Sequence, residues 1–123
     1  GNWVRPVITP SMSRYGRGMW LWDTAFHVMA LLTAGLGSRS LTKAKDQLAV
    51  LIAYGAKLGH VPRVIGPSGV ETTTQPPGIL TWAAMVVFNK TGDLDFLARS
   101  YSSFAANNDW FYAQRGDSKG LCT

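Results

Sequence analysis

Two short stretches combine residue types that could hold a sugar. One is Trp20-Leu21-Trp22-Asp23, with His27 a helical turn further on; the other is Gln75-Pro76-Pro77. Indole faces cover the apolar C–H face of a pyranose, a carboxylate accepts hydrogen bonds from two adjacent hydroxyls, and a Gln amide both donates and accepts. A helix N-terminus would favour the ionised form of Asp23 and so keep it an acceptor. The same residues have a plainer use, with Asp23 capping a helix and the indoles filling a core. Residue types alone leave both uses open.

Other chemistry is less well supported. Asp23 and His27 have the i, i+4 spacing of a metal pair, but His60 is the one further candidate and no Cys or Glu cluster joins them, so no metal or other cofactor is expected. Glu71 could act as an acid or base, although a lone glutamate in a polar stretch is usually solvated. No Ser-His-Asp set assembles around a distinctive nucleophile. Asn89-Lys90-Thr91 and Arg115-Gly116-Asp117 match short motifs that chance supplies readily. Cys122 is the sole cysteine, which rules out an intrachain disulfide.

The elements that must place these residues are helical. Residues 1–20 carry Pro6, Pro10, Gly16 and Gly18 and read as an irregular lead-in. A first helix should start near Trp22-Asp23-Thr24 and end by Gly35, and its apolar residues cover nearly the whole circumference. A second, over about 41–58, is amphipathic: Leu41, Ala44, Leu48, Leu51, Ile52, Gly55 and Leu58 keep a helical period, Lys43, Asp46, Gln47 and Lys57 mark a wetter side, and Ser40 or Thr42 could cap its start. After a loop rich in Gly, Pro and Thr, Pro76-Pro77 suits the opening of a third helix, again apolar on every face. Asp93 is a candidate N-cap for a fourth, reaching about Arg115 with a stripe of Leu94, Leu97, Tyr101, Phe104 and Phe111, and with Ser103 and Asn107 off it. Buried and amphipathic helices therefore alternate, as in two concentric layers with both sugar-suited clusters opening the inner helices on one rim, although periodicity alone also allows a four-helix bundle.

Bulk properties narrow the class. Hydrophobic residues make up 46% and charged residues 15% of the 123 positions, which favours a folded chain. The net charge of +5 comes from basic residues scattered along the whole length, without the stripe a nucleic-acid binder needs. No apolar run is long enough to span a bilayer. Gly1 to Pro6 holds no signal-peptide core; the compartment is left open, with a lean toward the cytoplasm.

At this point the chain becomes recognisable. GMWLWDTAFH resembles the aromatic-Trp-Asp signature of (α/α)6-barrel glycosidases, namely family 63 processing α-glucosidases, mannosylglycerate hydrolase-like enzymes and, more distantly, trehalases. GHVPRVIGPSGVETTTQPP is similar to their second signature, a Gly-x-x-Pro turn and variable loop closing on Gln-Pro-Pro. DLDFLARSYSSFAANNDWFYAQRGDSKGL is similar to the outer helix and Gly-containing turn that follow. Arg63 and Thr73 depart from the Asn and Arg usual in trehalases, which points toward the glucosidase or mannosylglycerate branch.

The resemblance implies an all-α, partial (α/α)6 toroid. Its layout would be a lead-in over 1–20, a first hairpin over 21–58, a pocket loop over 59–75 and a second hairpin over 76–115, all within one incomplete catalytic domain over 1–123. It further implies an inverting O-glycosyl hydrolase acting on glucosides or related small glycosides, in which Trp22 and Asp23 line the subsite of the cleaved sugar, Gln75 contacts that sugar and Trp20 walls the pocket. The family's acid follows the turn matched by Lys119-Gly120-Leu121 and its base lies further on. Both are thus expected beyond Thr123, none within the chain, and the chain alone should be inactive. The alternative is a non-catalytic helical module that binds a partner through its inner-helix faces.

Overall fold

A computed structural model describes residues 7–11, 13–15, 17–71 and 78–121. Its clearest boundary is the elbow of the second hairpin. Gly92 adopts a positive φ of 65° after α3 (Gly78–Thr91), a conformation costly to any residue with a Cβ. The Asp93 carboxylate then accepts the Phe96 N–H at 2.9 Å and caps α4 (Leu94–Arg115), as its position suggested. The first hairpin, α1 (Leu21–Thr33) and α2 (Ser38–Leu58), turns through Gly35 and Gly37, both at positive φ. Neither Ser40 nor Thr42 caps α2. Gly37 is the N-cap, Ser40 is buried, and the Thr42 hydroxyl donates back to the Ser38 carbonyl.

The four helices form two layers. α1 packs on α2 and α3, and α4 packs on α2 and α3. Leu21, Ala25, Val28 and Leu32 of α1 share one core with Ala44, Leu48 and Leu51 of α2, Leu80, Ala83 and Val87 of α3, and Phe96 and Phe104 of α4. The fold is thus all-α with alternating inner and outer helices, part of an (α/α)6 toroid, with a small sheet at one end.

That sheet corrects the sequence reading. Composition predicts irregular chain over 1–20 and 59–75, yet β1 (Met19–Trp20) pairs antiparallel with β2 (Val64–Gly66), which pairs with β3 (Gly69–Glu71). Strands of two or three residues are too short to show a period-2 pattern, and β1 meets β2 only once α1 and α2 have folded between them. The proposed helix start at Pro76-Pro77 lies outside the described residues.

Burial differs from expectation on all four helices. α1 and α3 are not covered all round: Trp22 is 42% and Phe26 51% exposed, Trp82 46% and Met85 40%. Composition makes a helix apolar, but burial needs neighbours, and two hairpins of a six-hairpin ring leave one flank of each inner helix open. On α4 the stripe is misplaced. Leu94 and Tyr101 are about 70% exposed, whereas Phe96, Ser100, Ser103, Phe104 and Asn107 face inward. Small polar residues win that face because Gly55 of α2 comes so close that a Cβ there would lie 3.0 Å from Val61 Cγ2 and collide with the Ser103 hydroxyl. Their polar atoms find partners within and beyond the helix: Ser100 donates to the Phe96 carbonyl at 2.7 Å, and the buried Asn107 Oδ1 accepts the N–H of distant Val61 at 2.8 Å. On α2, Gln47 is likewise buried, its Oε1 accepting the Ile8 N–H at 2.8 Å.

Candidate functional site

The Trp20-to-Asp23 stretch spans the junction of β1 and α1. Trp20 is the N-cap residue of α1 in extended conformation, and no side chain caps the helix. One of its orphan donors is met from the main chain just before β2, the Leu21 N–H donating to the Arg63 carbonyl at 2.9 Å, while the Thr24 hydroxyl donates back to the Trp20 carbonyl at 2.6 Å. Asp23 therefore is not the cap. It sits half-buried in the first turn of the helix. Trp22 projects beside it, its ring 6.2 Å from that of Phe26 and tilted by 55°. A half-exposed indole next to a carboxylate held at a helix start can offer a sugar one apolar face and two hydrogen-bond acceptors.

Trp20 is differently engaged. Its indole Nε1–H donates to the Tyr15 carbonyl at 3.3 Å, the Tyr15 ring meets it edge-on at 5.2 Å, and the Arg63 guanidinium carbon lies 5.7 Å from its ring centroid. Arg63 also forms an ion pair with Glu71, the candidate acid or base, across the exposed side of the hairpin. Trp20, Val64 and Glu71 occupy one row of the sheet, on successive strands. Gln75, four positions beyond Glu71, lies outside the described residues, so the second cluster is not placed with the first.

The histidines divide. Burial holds the His27 imidazole below its ordinary range, with the negative charge of Asp23 opposing, and its Nδ1 is buried without a hydrogen-bond partner among the described residues. His60 is buried and stacks on Trp110 with ring centroids 4.2 Å apart and planes within 15°, a packing role. Among the described residues no group of three or more His, Cys, Asp or Glu side chains is arranged to hold a metal ion.

Residue types did not single out Tyr15, and marked Arg63 only as a departure from trehalases. The available signal was Arg63 and Glu71 flanking a Gly-Pro-Ser-Gly segment, the layout of a tight hairpin with a cross-strand ion pair. The rim around Trp22 and Asp23 is open. Two grooves, of about 540 Å³ between α2 and α4 and about 430 Å³ between α3 and α4, are lined by neither residue. At the far end of α4, the Asp117 Oδ1 accepts the Lys119 and Leu121 N–H groups at 2.8 and 2.9 Å, forming the expected turn with Gly120 at φ 75°. Thr123, the position past which the acid and base are expected, lies outside the described residues, so the structure places neither carboxyl group.

Residues 16–123, which include every helix and strand above, match the model of the mannosylglycerate hydrolase MGH1-like glycoside hydrolase domain. The chain belongs to that family. No curated protein and no solved structure matches it. Membership makes this a glycoside hydrolase-type domain, which implies a carbohydrate substrate and agrees with the resemblance read from the sequence. Among the described residues of this MGH1-like chain, no helix is long and apolar enough to cross a membrane.

Proposed function

We propose that the chain builds the sugar-holding side of an inverting glycosidase pocket, with the domain layout outlined from its sequence. Trp22 covers the apolar face of the sugar at the cleavage point, Asp23 accepts from two of its hydroxyls, Gln75 supplies a third polar contact, and Trp20 backs the wall. The observation that carries this reading is the start of α1. Asp23 caps no helix end, is half-buried, and directly follows a half-exposed indole in the first turn. Asp23 holds substrate and transfers no proton; the acid and base belong to other hairpins of the ring, beyond Thr123, on opposite faces of the scissile bond and roughly 6.5–9.5 Å apart. Substrates are small glycosides, either glucosides or the mannosylglycerate type that the family's name carries.

The test is hydrolysis by the full protein of methyl glucosides, mannosylglycerate and glucosylglycerate, with the anomer released followed by proton NMR. The reading expects turnover with inverted configuration, lost in large part on Asp23→Asn. Retention would sink the inverting mechanism, and absence of turnover on every glycoside would favour the non-catalytic helical module.

A further inference from the structure

Arg63 ties the rim together through both its main chain and its side chain. Its carbonyl accepts the Leu21 N–H at 2.9 Å, its own N–H donates to the Glu71 carbonyl at 3.1 Å, its guanidinium lies over the Trp20 ring, and Nη2 pairs with the Glu71 carboxylate. Its Nε is buried with no hydrogen-bond partner among the described residues. Leaving a donor desolvated has a cost, and the guanidinium is held instead by the Trp20 ring and the ion pair with Glu71. The packing around it is tight: a Cβ on Gly18 would lie 3.1 Å from Val64 Cγ1 and 3.4 Å from Trp20 Nε1.

From these contacts we infer that Arg63 is a positioning residue of the sugar rim, clamping the Trp20 indole while its main chain joins β3 to the start of α1. This rests on the proposed sugar pocket. The clamp acts through Trp20 and Leu21, which lead directly into Trp22-Asp23. Lysine is no equivalent here, because it keeps the charge but replaces the delocalised guanidinium over the Trp20 ring with a compact, strongly hydrated ammonium. Arg63 touches no sugar hydroxyl in this arrangement; its effect on binding passes through Trp20.

The experiment uses the full protein labelled with ¹⁵N at the tryptophan indoles, the Trp20 signal being assigned by its loss in Trp20→Phe. Arg63→Met should move the Trp20 Nε1–H resonance and speed its solvent exchange on the order of fivefold, as loss of an exposed cation–π contact implies. Arg63→Lys should not restore it, Glu71→Gln should move it less in the same direction, and signals from tryptophans outside the rim should hold still. An unmoved Trp20 signal in Arg63→Met, or full restoration by lysine, overturns the clamp. Should Arg63→Met collapse all indole signals, Glu71→Gln decides, and an unmoved Trp20 signal there overturns it equally. Titration with methyl glucoside separates the two ideas. Binding that weakens several-fold in Arg63→Met supports the positioning role. If no indole responds to sugar in the unaltered protein, the pocket reading and the role at its rim fall together, whereas the clamp itself is judged on the variants alone.

Discussion

Asp23 and Asp93 both stand at helix starts in the sequence, and the structure gives them opposite work. Asp93 caps α4 and pairs with Lys45 Nζ, whereas Asp23 caps nothing. Asp23→Asn should therefore leave thermal unfolding nearly unchanged and lower kcat/KM of the full protein on the order of ten- to a hundredfold, the range for loss of a hydrogen bond from a charged group. Asp93→Ala should do the reverse, lowering the unfolding midpoint with little effect on binding. The hydrogen bond from Lys45, followed by the Phe96 N–H, pulls the Asp93 carboxyl below the usual range. A depressed carboxyl contributes stability above its unfolded pKa and loses it as pH falls through the folded value, so this contribution fades below about pH 4. For His27 the cause is burial and the direction is also downward. The unfolded chain then takes up a proton first, and stability falls as pH drops below 6.5 toward the folded value. Urea unfolding across pH 4.5–7.5 should show that slope, and His27→Gln should flatten it; an unchanged slope would place the titrating group elsewhere.

At the scale of elements, the contact between α2 and α4 depends on residues whose importance their polarity conceals. Gly55 lets the helices approach, so Gly55→Ala should destabilise by about 1–3 kcal/mol through overpacking despite alanine's better helix propensity. Adding Ser103→Ala should recover much of that loss, a coupling that a double-mutant cycle of thermal unfolding measures directly. Asn107→Ala, which strands the buried Val61 N–H, should cost about 1–3 kcal/mol. Such features mark the limit of legibility. Asp93 was readable because a cap acts on its immediate neighbours. The α2 face was readable because Leu48, Leu51 and Gly55 repeat at helical spacing. The Ser103–Asn107 face of α4 was not, since a small polar residue declares itself inward only when its partner from a distant element is known. The three-stranded sheet was missed for the same reason: Trp20 and Val64 pair across 43 intervening residues. Residue types suggested a sugar site at the Trp-Asp stretch, but its place at the junction of β1 and α1 depends on that unforeseen sheet.

For the whole molecule, the apolar surface left on α1 and α3 follows from the architecture. Inner helices of a ring touch neighbours on both flanks and face the central pocket, and two hairpins out of six supply only part of that cover. Trp22 and Phe26 on α1, with Trp82 and Met85 on α3, each expose 40% or more of their surface, enough large apolar side chains to drive association. Residues 1–123 expressed by themselves should therefore self-associate in light scattering at micromolar concentration, and should bind sugar weakly if at all. They should also hydrolyse no glycoside, because a half-walled rim cannot set two carboxyl groups on opposite faces of one bond. A monomeric, cooperatively unfolding 123-residue species would show that these faces need no further hairpins. Turnover by that species, above the level of a Glu71→Ala variant, would require a carboxyl pair inside the two hairpins and would move the chemistry from the closed ring into this open one.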